Sequence, residues 1–246
     1  MLLALLTLTP CLAQPTAEEL SDVWARNFST LGHHAKHTVL LDATDFKRVA
    51  EGKIAKRRLI QEGPDRAIGV GWTPHSRDSV WIAIIDEVHN TMVNSLYEQR
   101  LGNSEDGAKR LYQRLDLPWP FHDRQWVISI SNNTALADAT NNDLWERYWR
   151  LDAPIDSEPA DPDALWIPTL DGAWIAVPID GGTLLVYQAR TTIGGAIPDE
   201  LVTRWAMSTL DEMLMNVFSR AAEIPHHYDR QHERIVGGDG KVINLN

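Results

Sequence analysis

Cysteine is nearly missing from this sequence: one residue, Cys11, stands among 246. A disulfide framework within the chain is therefore excluded, and with it any CxxC redox pair or multi-cysteine metal site. Basic charge is also scarce, with 23 Lys and Arg against 34 Asp and Glu and a net charge of −11. Proteins that bind phosphate backbones take much of their affinity from a basic face, so the charge argues against a nucleic-acid partner. It argues equally against polybasic docking on anionic lipid. No HExxH signature and no Ser-His-Asp or cysteine nucleophile motif occurs, so the expectation is a protein that is not an enzyme and needs no cofactor. Tryptophan, in contrast, is plentiful. Ten are present, and most must be buried or line an apolar space, because exposed indoles are costly in water.

The longest apolar run, MLLALLTLTPCLA at the start, is too short to span a bilayer. Small residues at Cys11 and Ala13, followed by polar Gln14-Pro15-Thr16, read as a signal peptide cleaved after Ala13, with export to the periplasm or beyond. The run departs from the usual pattern in having no Lys or Arg ahead of it. Acylation of Cys11 is the lesser alternative, since Pro10 fits poorly before a modified cysteine. The residues from 17 to 223 read as one domain, long enough to bury a core without staples, and 224–246 as a polar, loosely held tail.

Leu20, Val23, Trp24 and Phe28 fall at helical spacing, so a helix is expected over Ala17–Ser29. His33, His34 and His37 then read as an exposed linker rather than a metal site. Strands are expected around Lys53–Gln61 and Arg66–Trp72, joined at the Gly63-Pro64-Asp65 turn. The basic run Lys53–Arg58 reads as a solvated strand face. A short helix at Val80–Ile85 has Ser76 as its N-cap. Further strands are read at Ser95–Leu101, Lys109–Leu117, Arg124–Ser131, Leu144–Leu151, Ala173–Val177 and Thr183–Thr191, with a Pro- and Asp-rich loop at Ala153–Asp163. Alternation puts Trp126, Ile128 and Ile130 on one face, and Trp145, Arg147 and Trp149 on another. Pro198 opens the final helix, which reaches about Ala222 with an apolar stripe through Leu201, Trp205, Leu210, Leu214, Val217 and Ala221. Its length, roughly 37 Å at about 1.5 Å per residue, suffices to lie across a curled antiparallel sheet.

Two stretches resemble the START lipid-transfer family. Leu117-Pro118-Trp119-Pro120-Phe121-His122-Asp123-Arg124 is similar to that family's Pro-Trp-Pro-x-x-Asp-Arg approach to a central strand. Thr183–Pro198, TLLVYQARTTIGGAIP, is similar to its strand ending in Gly-Gly-x-x-Pro before the gripping helix. A weaker likeness covers Ser79–Asp86. Together these span roughly Lys47–Ala222. Two positions depart from the pattern: Gln125 stands where Asp commonly follows the Arg, and Thr192-Ile193 where an Asp often precedes the glycines. The resemblance implies an α+β START-like helix-grip fold, a curled antiparallel β-sheet wrapped around a long C-terminal helix. Trp119 is then expected in the core as the anchor of its turn.

The resemblance also implies non-catalytic binding, with possible transfer, of a lipid or other hydrophobic small molecule between sheet and helix, by a monomer. The expected ligand-binding residues are Trp126, Ile128, Arg147, Trp149, Tyr187, Arg190, Leu210, Met213 and Leu214. Arg147 and Arg190 would meet a polar head group. Two alternatives stay open at this level: an enzyme of the wider helix-grip superfamily, of the cyclase or hydrolase kind, and an interaction module whose cleft is filled by its own side chains.

Overall fold

The computed structural model describes residues 14–37, 39–85, 96–104, 107–195, 197–227 and 235–243. The expected signal segment and Asp86 lie outside this set. Helix α1 (Ala17–His34) starts at a capping box in which Thr16 and Glu19 satisfy each other's backbone N–H groups. It runs through Gly32 and the first two histidines, so His33 and His34 form its last turn rather than a linker. Helix α2 (Ala43–Ala50) was not anticipated from periodicity. Only eight residues long, it is fixed by a second capping box at Asp42 and Asp45 and by burial of Phe46 and Val49. Helix α3 (Arg77–Ile85) is capped as expected, Ser79 N donating to Ser76 Oγ at 3.2 Å.

Among the described residues, nine strands form one sheet: β1 (Ala55–Leu59), β2 (Arg66–Thr73), β3 (Leu96–Asn103), β4 (Lys109–Leu115), β5 (Arg124–Asn132), β6 (Trp145–Leu151), β7 (Leu165–Trp166), β8 (Thr169–Ile179) and β9 (Gly182–Thr192). Their order is β1-β2-β9-β8-β6-β5-β4-β3, antiparallel throughout, with the short β7 lying parallel to β5 off this path. The unexpected helix α4 (Thr134–Ala139) bridges β5 and β6, and α5 (Asp199–His227) closes the fold. No helix among the described residues is long and apolar enough to cross a membrane.

The sheet is covered on both faces. Ile68, Val70, Ile175, Val177, Leu184 and Val186 pack outward against Leu20, Trp24 and Leu31 of α1 and Phe46 and Val49 of α2. On the inner face, Trp174, Ala176 and Leu185 meet α3 and the C-terminal half of α5 through Trp81, Leu214, Val217 and Phe218. Two glycines of β2 seat that half of the helix. A Cβ on Gly69 would lie 3.1 Å from Leu214, and one on Gly71 2.9 Å from Phe218 and 2.6 Å from Ile54. Close approach there is possible only without a side chain.

Two further expectations are corrected. Trp119 is 92% exposed and lies outside the core. Its turn is closed instead by Asp123, whose Oδ1 accepts from Leu117 N at 2.9 Å. The tail is not loose throughout, because α5 continues to His227 and residues 235–243 pack back on the body. There Trp81 Nε1 donates to Val236 O at 3.1 Å, Asn132 Nδ2 donates to Gly237 O at 3.2 Å, and Gly238 lies against Trp145. The basic run keeps its solvent-facing character, Lys53 and Arg58 being exposed, and its charges are paired as well. Lys56 bridges to Asp211 of α5, Arg57 to Asp42 and Asp45 of α2, and Arg58 to Asp65.

Candidate functional site

The N-terminal part of α5, from Leu201 to Met213, borders an open space over the inner face of the sheet. Between them lies a cavity of about 650 Å³. Its wall is built by alternation. Leu111, Gln113 and Leu115 of β4 face inward, as do Trp126, Ile128 and Ile130 of β5, Arg147 and Trp149 of β6, Trp174 of β8, and Tyr187 and Ala189 of β9. Three of the rings form one contact cluster. The centroids of Trp174 and Tyr187 are 4.6 Å apart and those of Trp149 and Tyr187 5.7 Å. Trp149 lies flat over Gly172, where any Cβ would collide with its ring.

Polar groups are few and mostly matched. Trp126 Nε1 donates to Gln113 Oε1 at 2.6 Å, and Gln113 Nε2 donates to Glu98 Oε2 at 2.5 Å. Arg147 donates to Asn132 Oδ1 at 3.1 Å. Burial lowers the Arg147 pKa to about 10, against the opposing pull of Glu98, so it remains a cation at neutral pH. Glu98 keeps much of its surface accessible. Even so, the protein packed around its carboxyl pushes its pKa up, more than Gln113 and Arg147 bring it down. Burial also pushes the Tyr187 phenol far up, leaving it protonated.

The mouth has two lips: Leu117, Pro118 and Phe121 on the β4–β5 turn, and Ile193, Ile197 and Leu201 leading into α5. Arg124 joins them. Its guanidinium donates to His122 O on one side, and to Ile193 O at 2.5 Å and Gly194 O at 3.1 Å on the other. Thus the two stretches that carry the sequence resemblance are linked by one side chain. Around the mouth, Phe121 (45%), Leu201 (54%) and Trp205 (46%) are exposed large apolar residues, as is Trp119 on the same turn. Gln125, the departure from the family pattern, does not face the cavity. It bonds Tyr112, Asp161 and Ala164 and holds the loop before β7.

Of the nine residues expected to meet a ligand, Trp126, Ile128, Arg147, Trp149, Tyr187, Leu210 and Met213 line the cavity. Two do not. Arg190 lies on the outer face, where it pairs with Asp171, which Arg66 also reaches at 2.7 Å. Leu214 is fully buried over Gly69, one turn beyond the cavity. Sequence reasoning missed Glu98, Gln113 and Trp174. For Gln113 the signal was there, in its alternation with Leu111 and Leu115.

No family model matches the sequence. The architecture is the helix-grip fold of START domains. A STAR-related lipid transfer protein from Xanthomonas axonopodis superposes with a TM-score of 0.54 at 22% identity, covering 70% of this chain and 94% of that one. Human StAR-related lipid transfer protein 5 gives 0.52 at 10% identity, covering 85% and 97%. Human STARD10 gives 0.53 at 10% identity, covering 78% and 84%. In sequence, an uncharacterised protein of Pseudomonas aeruginosa is 28% identical over 116 residues, 47% of this chain. That match spans about half the length of the Pseudomonas protein, 54%.

Proposed function

We propose that this protein is a non-catalytic carrier of a lipid or other apolar small molecule, held between the sheet and α5. The observation that carries the reading is the cavity itself: about 650 Å³, walled mainly by apolar and aromatic side chains, with a mouth ringed by exposed apolar residues. A filled-core module would have no use for such a space. Its size falls within the roughly 300–1,000 Å³ of small-molecule pockets. Burying roughly 400 Å² of apolar ligand surface at about 25 cal/mol/Å² contributes ~10 kcal/mol before the cost of association. The solved structures of like fold include proteins named for lipid transfer, which supports the same direction. The exposed lip formed by Trp119, Phe121, Leu201 and Trp205 suits contact with the surface from which such a ligand is taken.

The test is to fill the space. Leu210 is buried at the cavity wall. Leu210→Trp is expected to abolish uptake of a fluorescent fatty acid while circular dichroism shows the protein still folded. Unchanged uptake in the folded variant would overturn the carrier reading.

A further inference from the structure

The carrier reading leaves the ligand's chemistry open, and two features of the cavity narrow it. The first is capacity. At about 30 Å³ for each water-sized group, 650 Å³ corresponds to roughly twenty such groups. One acyl chain with its head, or one fused-ring body, fills that space; a lipid with two long chains needs about twice as much.

The second is an imbalance of hydrogen-bonding groups. Apart from Trp205, which is 46% exposed, the polar side chains elsewhere on the lining have partners within the protein, among them Gln113 with Trp126 and Glu98, Arg147 with Asn132, Asp65 with Arg58, Asp116 with Arg114, and Thr191 with Thr169 O. The contact cluster of three rings differs. Among the described residues, the Tyr187 hydroxyl and the indole N–H groups of Trp149 and Trp174 have no hydrogen-bond partner. These atoms are also not among the buried polar atoms sealed off by protein, so they retain surface, and the surface at hand is the cavity. Indole N–H is a donor only, and a phenol held protonated is a ready donor. A buried donor without an acceptor costs free energy, and a ligand oxygen would supply the acceptor. Register places the cluster beside the cation of the lining: Tyr187 pairs with Trp174, and Trp174 with Arg147, across β9, β8 and β6.

We propose that the ligand is an amphiphile with a single hydrocarbon unit, one chain or one fused-ring body, whose polar end is an oxygen acceptor hydrogen-bonded by Tyr187. The proposal rests on the carrier reading, and its test separates the two. The full chain, stripped of bound lipid, is titrated with oleic acid, with the hydrocarbon 8-heptadecene, and with dioleoylphosphatidylcholine. The same titrations are run on Tyr187→Phe, which deletes the hydroxyl and keeps the ring against Trp149 and Trp174. The hydroxyl's loss is expected to weaken oleic acid about tenfold and to leave heptadecene unchanged. On the native protein, oleic acid is expected to bind far more tightly than the two-chain lipid. Equal weakening of acid and hydrocarbon would show that Tyr187 acts by packing. No weakening of the acid would place its polar end elsewhere, and two-chain binding as tight as oleic acid would remove the size limit. Each of these three results overturns the proposal and leaves the carrier reading standing. Failure of oleic acid, heptadecene and the two-chain lipid alike to bind the native protein would overturn both.

Discussion

Trp119 sits between two prolines with 92% of its surface accessible, although sequence reasoning placed it in the core. The prolines and the Asp123–Leu117 bond fix the turn without it. Trp119→Ala is therefore expected to change unfolding free energy by less than about 0.5 kcal/mol while slowing lipid uptake from vesicles; a large loss of stability would return it to a packing role. His37 tells a different story. Its ring lies over the outer face, 3.7 Å from Asp171 Oδ1 and close to Arg66 and Arg190, beside Lys36 and with its backbone N–H on buried Glu146. Burial, then the charge of Arg66, lowers its pKa from the usual 6.5, outweighing Asp171. The folded protein thus binds fewer protons than the unfolded chain between the lowered value and 6.5, and stability falls as pH falls through that window. His37→Asn is expected to flatten this part of the stability–pH curve in urea titrations, and an unchanged slope would refute the assignment. Some of the residue scale was legible and misread. Tyr187 and Arg190 are three apart on one strand, so alternation alone puts them on opposite faces. Trp119's exposure had no local signal, because it depends on what the rest of the chain leaves uncovered.

Helix α5 does two jobs along its length: one half seals, the other leaves room. The glycines of β2 seat it, since Leu210 and Leu214 come down on Gly69 and Phe218 on Gly71, while Leu201 to Met213 border the cavity. Gly71→Ala is expected to cost about 1–3 kcal/mol, because its methyl meets the rigid ring of Phe218 as well as the end of Ile54. A variant as stable as the native protein would show that the helix is not seated there. Long elements were readable from sequence for a simple reason. In β5 and β9 and in α5, apolar residues repeat at the period of the element, and the fold turns the face so marked inward, apart from Leu201 and Trp205, which stay exposed beside the cavity. Helices α2 and α4 have eight and six residues, too few for a period to show. The signal for α2 lay in its caps: Asp42 and Asp45 satisfy each other as Thr16 and Glu19 do for α1.

At the scale of the whole molecule, the packing of residues 235–243 was beyond sequence reading. Gly237 and Gly238 are useful there only because Trp145, some ninety positions earlier, offers a flat ring to lie on, and nothing in the polar composition of that stretch names its partner. The placement of tryptophan has a further consequence. Four of the ten, Trp126, Trp149, Trp174 and Trp205, border the cavity, whereas Trp24, Trp81 and Trp145 are buried in packed core away from it. The molecule therefore carries its own optical gauge. A polyunsaturated ligand that absorbs where indole emits will draw excitation energy from the cavity set before it reaches the core set. The emission that remains comes from rings outside the cavity, exposed Trp119 among them, and its share of the total reports how far the cavity set has been quenched.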